Sequence, residues 1–381
     1  MLILTLLNFS NSWKNLITTF INSIFTLSFM LTSKQVKEIR EHLERAGSPI
    51  FFFDNDVDGL CSFLLLQRYV DKGKGVPIKS FPKMDITYFR KVEELNADYI
   101  FILDKPLVSK EFFDEAEKRN ISVVWIDHHD VQDEHDEMPE FVNYYNVAFN
   151  KDKSNEPVTY LCYQIINDAR KKEDLWFGVV GCISDKFVPD FYEQFKKEYP
   201  DLSIEGEDAF DILYSSRIGK IVEILSFALK DRTTNVVNMM KFLMQAKSPY
   251  EVLEDSSKNH TMHYRFKQID EKYQHLLKKA EELEKTSGKL LFFQYGGEMS
   301  MSSDLANELS YKFKDKIIVV VYIKGSKANI SGRGKRVKDF ILKAISGLGD
   351  SRGGGHEDAV GAQVRVEDIE NLRGNLLKLV G

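Results

Sequence analysis

The chain has 381 residues, 43% hydrophobic and 29% charged, an ordinary globular composition with room for two domains. Its 52 basic and 58 acidic residues leave a net charge of −6, which excludes a global basic field for nucleic acid but allows a local patch. Three scattered cysteines, Cys61, Cys162 and Cys182, form no CxxC pair; this excludes a disulfide framework or a cysteine zinc site and points to a reducing, cytoplasmic setting.

Residues 1–33 are apolar and rich in Asn, Ser and Thr, with Lys14 the only charge. They are expected to be a leader, either disordered or upstream of a true start near Met30. A membrane anchor is the alternative, and no stable membrane association is expected. Thr32 and Ser33 are N-cap candidates for a helix over 34–45. From residue 48 the pattern alternates. "SPIFFF" reads as a strand, "LCSFLLLQRYV" as a helix and "VPIKSF" as a second strand. "ADYIFILD" reads as a third strand, "SKEFFDEAEKRN" as a helix and "ISVVWID" as the fourth strand. Such alternation predicts a parallel sheet, in which ligands bind at the carboxyl ends of the strands.

After residue 155 the chain turns helical, with "VTYLCYQIINDAR" and "LWFGVVGCISD" as apolar helices and packed helices over 206–256. Met262, Phe266, Ile269, Tyr273, Leu276, Ala280 and Leu283 follow a strict 4-3-4-3 spacing. Three heptads are short for a coiled-coil partner site, so a helix packed on its own chain is expected. From Lys289 strands and helices alternate again, through a glycine-rich turn at 353–355 to a terminal helix. The expected fold is α/β. A leader (1–33) precedes a parallel-sheet domain (34–190), a helical connector (191–287) and a smaller C-terminal α/β domain (288–381).

Acids or histidines close four of these segments. "FFFDNDVDGL" supplies Asp54, Asp56 and Asp58, with a turn expected at Gly59 to bring two carboxylates to one site. "FILDKP" supplies Asp104, "WIDHHD" supplies Asp127, His128, His129 and Asp130, and "VGCISDKF" supplies Asp185. Any one motif could be a solvated turn, but four in this order are poorly explained that way. Two carboxylates about 4 Å apart repel by roughly 4 kcal/mol at an effective dielectric near 20. A cluster of them therefore needs cations. Carboxylate with imidazole suits Mn2+ or Mg2+, with zinc also possible, and two such ions would make a hydrolytic site. No G-x-S-x-G elbow supports a serine hydrolase.

"DNDVDG", "LDKP", "DHH" and "SD" resemble, in order, the motifs of the DHH phosphoesterase superfamily. "ISGRG" and "GGGHEDAVGA" resemble its associated C-terminal domain. The likeness covers about residues 48–381 and is greatest to compact archaeal RecJ-like nucleases. It implies that Asp56 holds one ion, Asp58 the other, and that Asp104 bridges both. It implies that His128 and Asp185 complete the second ion's shell, that His129 touches the scissile phosphate, and that Asp127 orients its neighbours. Many members carry a histidine where this chain has Phe52; the resemblance then implies either that Asp54 substitutes as ligand or that this ion binds weakly and arrives with substrate.

Between Tyr311 and Lys343 stand ten Lys/Arg against two acids. Beside this surplus, the resemblance implies that Ser331, Arg333, Gly353, Gly354, Gly355 and His356 hold substrate. The expected activity is a Mn2+- or Mg2+-dependent phosphodiesterase with two ions. It would be an exonuclease on single-stranded DNA, RNA or short oligonucleotides that releases mononucleotides. The alternatives are a cyclic-dinucleotide or nucleotide-phosphate phosphodiesterase, and a scaffold bound to a replication-complex protein. Retention of Asp56, Asp58, Asp104, His128 and Asp185 favours an enzyme over a scaffold.

Overall fold

The structure is a computed structural model that describes residues 30–80, 83–130, 138–150 and 153–381; the expectations for residues 1–29 lie outside it. The chain divides into two compact units between Asn259 and His260. The stretch 191–287 is therefore shared between the units.

In the first unit, α1 (Ser33–Arg45) starts with a reciprocal cap. The Thr32 side chain accepts from the Gln35 N–H, and the Gln35 side chain accepts from the Thr32 N–H. Strands β1 (Pro49–Asp54), β2 (Lys74–Ile78), β3 (Tyr99–Leu103), β4 (Ser122–Asp127) and β5 (Val142–Asn146) form one parallel sheet, in the order β2-β1-β3-β4-β5. Pro77 is tolerated because β2 is an edge strand. Four of these strands match the sequence expectation. The fifth, "VNYYN", is too polar to announce itself.

The sheet is apolar on both faces, as strands covered on both sides must be. Ile50, Phe52, Ile100, Ile102 and Trp125 pack with Phe112 of α3 (Lys110–Lys118) on one side. On the other, Phe51 and Phe53 stack with Phe101 and with Phe63 of α2 (Val57–Val70). From β1 the chain passes to β2 on one side and then to β3 on the other. The carboxyl ends of β1 and β3 thus flank a topological switch point, the place where such sheets leave a crevice.

Helices α4 (Val158–Ile165) and α5 (Leu175–Ser184) pack on α2, which itself lies against the sheet. The expected continuous helix "VTYLCYQIINDAR" breaks at Ile166, which is extended, and Asn167 caps a new short helix. Beyond lie α6 (Arg217–Leu229) and α7 (Thr233–Gln245). Arg68 of α2 ties this layer together. Its Nε and Nη2 donate to Asp174 Oδ1, both at 2.8 Å, and its Nη1 donates to the carbonyls of Leu243, Met244 and Ala246.

The second unit opens with α8 (His260–Glu284). Next come β6 (Leu290–Gly296), α9 (Ser302–Lys312), β7 (Ile317–Lys324), β8 (Lys327–Arg333), α10 (Val337–Ile345), β9 (Arg352–His356), β10 (Ala359–Arg365) and α11 (Ile369–Val380). Its sheet runs β9-β10-β8-β7-β6, parallel only between β6 and β7. Helix α8 packs within its own unit, with Tyr273 donating to Glu308 at 2.7 Å and Lys312 meeting Glu281 at 2.8 Å. The apolar stripe does not keep its heptad register. Leu277 is buried rather than Leu276, and Leu283 is exposed, because a straight helix repeats at 3.6 residues rather than 3.5. The expected glycine-rich turn is also corrected: residues 352–356 form the edge strand β9. Gly355 there has φ +141°, and a Cβ on it would lie 2.5 Å from the Ala359 carbonyl oxygen. Among the described residues no helix is long and apolar enough to cross a membrane.

Candidate metal centre

Asp54 is the last residue of β1. Asp56 caps α2, its Oδ1 accepting from the Gly59 N–H at 2.9 Å. Asp58 lies in the first helical turn, so the two carboxylates are brought round by a helix start at Val57 rather than by a turn at Gly59. Gly59 matters for a different reason. A Cβ there would come 2.4 Å from the Asp54 carbonyl oxygen, so only glycine lets α2 fold back against β1. Asp58 is buried and reaches the start of α4, accepting from the N–H groups of Val158 (2.9 Å) and Thr159 (2.8 Å).

Asp104 follows β3 in the left-handed region, at φ +58°. Its N–H donates to the Ile126 carbonyl at 3.0 Å, which aims the buried carboxylate toward the end of β4. There His128 Nε2 stands 3.4 Å from Asp104 Oδ1 and 4.0 Å from Asp185 Oδ2, and Asp185 terminates α5. His129 Nδ1 donates to Asp127 Oδ1 at 2.8 Å and lies 4.0 Å from Asp104 Oδ1. Asp127 is fully buried and also accepts from Tyr144 and Asn146 of β5. Asp130 is exposed and makes no part of this cluster.

Two triads emerge: Asp104, His128 and His129, and Asp58, His128 and Asp185. In each, one ligand atom per residue lies within 4.8 Å of the others. Asp54 and Asp56 enter neither. Sequence reading missed Lys105, whose ammonium is fully buried, 3.0 Å from Asp54 Oδ1 and 2.8 Å from the Ser80 carbonyl. The only signal for it was a lysine directly after Asp104 in "LDKP".

Burial, and then the charge of Asp185, pushes the Asp58 carboxyl up to about 7. Burial and the charges of Asp58 and Asp56 hold Asp104 well above the usual range. Asp56, though open to solvent, is raised by loss of hydration and by Asp54 and Asp58. Burial, then His129, lowers His128. Burial would also lower His129, but the Asp127 carboxylate outweighs it and raises the imidazole to about 9. Among the described residues, buried Asp104 Oδ1 has no hydrogen-bond partner. An unsatisfied buried carboxylate oxygen among like charges and neutral imidazole fits a divalent cation.

A pH dependence follows. The Asp58 carboxyl ordinarily titrates near 3.8 and in the folded chain near 7, so the folded state holds the proton more tightly. Its contribution to stability is complete below about pH 4 and is lost as pH rises to 7. The melting temperature of chelated protein is expected to fall further behind that of Mn2+-loaded protein between pH 5 and pH 7.5. Parallel thermal melts with Mn2+ and with EDTA check this; a gap that stays constant would contradict it.

In the second unit, Ser331 and Arg333 lie on one face of β8. Ser331 Oγ donates to Ser302 Oγ at 3.0 Å, and Arg333 Nε donates to Asn307 at 2.6 Å. Gly353, Gly354 and Gly355 lie on the exposed edge strand, where backbone N–H groups alternate between the ladder and the open side. The His356 side chain lies outside the described structure. The basic surplus is partly neutralised locally: Lys312 meets Glu281 and Glu308, Lys316 meets Glu284, and Arg336 meets Asp339.

A parallel sheet with carboxylates and imidazoles gathered at its switch point, from strand ends and from the ends of two helices, defines an α/β protein with groups positioned for metal binding. The N-terminal domain of the DHH family matches residues 50–177, and the DHHA1 domain matches residues 287–380. The chain belongs to the DHH superfamily and has the RecJ fold. No curated protein matches it. RecJ from Thermus thermophilus in complex with Mn2+ is similar over 91% of this chain, at 13% identity and a TM-score of 0.64. That similarity covers 54% of the Thermus chain, so the present chain spans about half its length. An exonuclease RecJ bound to manganese is 13% identical with a TM-score of 0.60, covering 93% of this chain and 96% of the other. CDC45 from Entamoeba histolytica is 9% identical with a TM-score of 0.50, over 92% and 99%.

Proposed function

We propose that the chain is a Mn2+- or Mg2+-dependent phosphodiesterase, an exonuclease on single-stranded DNA, RNA or short oligonucleotides that releases mononucleotides. The observation that carries this reading is the convergence of Asp58, Asp104, His128 and Asp185, from four separated segments, beside an unsatisfied buried carboxylate oxygen. Manganese in two RecJ structures of the same fold supports it. Asp56, Asp58, Asp104, His128 and Asp185 would hold two ions, which when bound supply a hydroxide at neutral pH and offset charge on the phosphate.

The chain's own residues do the rest. Without bound ions the Asp127 carboxylate raises His129 to about 9, which favours its doubly protonated ring. Its Nδ1–H is fixed on Asp127, which leaves Nε2–H to donate to a phosphate oxygen. Asp127, clamped by Tyr144 and Asn146, sets the direction of that ring. Ser331, Arg333, Gly353, Gly354, Gly355 and His356 are proposed to hold the strand. The buried free cysteines suit a cytoplasmic setting, and a replication-complex protein is a proposed partner.

The test is time-resolved product analysis of end-labelled single-stranded DNA and RNA with Mn2+, Mg2+ and chelator. Mononucleotide release that stops with chelator is expected. Turnover of cyclic dinucleotides with no turnover of any linear strand would replace the exonuclease reading.

A further inference from the structure

Asp54 was a candidate substitute ligand, yet the structure gives its carboxylate a different partner. Asp104 in the left-handed region turns its own side chain toward His128 and leaves Lys105 to run toward β1. The Lys105 side chain is fully buried; its ammonium sits on Asp54 Oδ1 and the Ser80 carbonyl, and its own carbonyl accepts from Trp125 Nε1 at 2.9 Å. A buried lysine with this many fixed contacts is not a mobile surface charge. Asp54 Oδ1 also accepts the Asn55 N–H at 3.0 Å.

We propose that Lys105 is a positioning residue that sets how many divalent ions the chain holds tightly. It pairs with Asp54 Oδ1 and so, among the described residues, leaves Asp56 and Asp104 as the carboxylates available to an ion at the β1 edge of the centre. The Asp58, His128 and Asp185 triad then takes one ion firmly, and an ion at the β1 edge is held weakly until an anionic substrate adds oxygen ligands. This rests on reading the acidic cluster as a metal centre. A lysine cannot leave the site as a divalent ion can, so the asymmetry is permanent. It follows from two effects with one sign, a fixed positive charge and a withdrawn ligand.

The test is Mn2+ titration of the full chain, following the free-ion electron paramagnetic resonance signal, with no substrate present. Wild type is expected to take up one ion tightly and a second at least about tenfold more weakly. Lys105→Gln keeps a hydrogen-bonding group against the Ser80 carbonyl but removes the charge. It is expected to bind two ions with affinities within tenfold, and Lys105→Gln with Asp54→Asn is expected to return to one tight ion. Lys105→Met is the second neutral variant should the glutamine chain fail to fold, as judged by near-ultraviolet circular dichroism. Neutral variants that fold and bind Mn2+ as wild type does overturn the role of Lys105 and leave the metal centre standing. Wild type that takes up no Mn2+ overturns both.

Discussion

Asp104→Asn is expected to lower metal-dependent cleavage of single-stranded oligonucleotides by about 10^3-fold, the scale of losing one well-placed electrostatic group. The fold should survive. Asparagine tolerates the left-handed backbone that residue 104 adopts at φ +58°, and it matches the size of the carboxylate it replaces. The substitution also removes a buried carboxyl that loss of hydration, and then the charges of Asp58, Asp56, Asp54 and Asp185, hold well above its usual range. Chelated variant should therefore melt at the wild-type temperature or above it. Mn2+, conversely, should protect the variant less than wild type. Comparison of kcat/KM with the melting shift on adding Mn2+ separates a lost ligand from a damaged fold. Activity within tenfold of wild type would remove Asp104 from the centre.

Arg68→Met is expected to be the most damaging change away from the site. Arg68 is buried and Asp174, its partner, is wholly buried. Removing the guanidinium strands a carboxyl that burial already pushes upward, and three carbonyls near the end of α7 lose their donor. Breaking a buried pair from one side costs about 3–5 kcal/mol, which in a unit of this size is roughly 10 °C in melting temperature. Lysine keeps the charge but cannot span Asp174 and the carbonyls together, so Arg68→Lys should fall between the two. Urea unfolding of the three proteins measures this. A methionine variant within about 1 kcal/mol of wild type would show that the layer is held by apolar packing alone.

Much of this architecture was legible because strands buried on both faces write unbroken apolar runs, and a run that ends in Asp or His is conspicuous. "FFFD", "FILD" and "WIDHH" announced both the sheet and the acid- and histidine-bearing ends of three of its strands. What escaped has specific causes. The residues Asp56-Val57-Asp58 are as compatible with a turn as with a helix start, and only the close approach of Gly59 to Asp54 decides between them. The strand "VNYYN" is polar because Asn146 serves Asp127, and Tyr144 donates to Asp127 while its ring packs on Trp125 of the core. "RGGGH" has the composition of a turn but is held extended by its ladder with β10. Lys105 is a charge that sequence rules place outside. Its burial depends on Asp54, 51 positions earlier in the chain, a distance no local pattern spans.

The crossovers that link β1, β3 and β4 have a kinetic consequence. Asp54, Asp56 and Asp58 are neighbours in the chain, but Asp104, His128 and Asp185 lie far from them in the unfolded chain and join them only as the later strands and helices dock. Their mutual repulsion is thus felt late on the route to the native state, and a divalent ion finds its ligands assembled only then. Ions that bind at that stage act chiefly as a brake on unfolding and do little to hasten folding. On the proposed metal-centre reading, the chain deprived of divalent ions is expected to fold at its usual pace but to stay folded for less time.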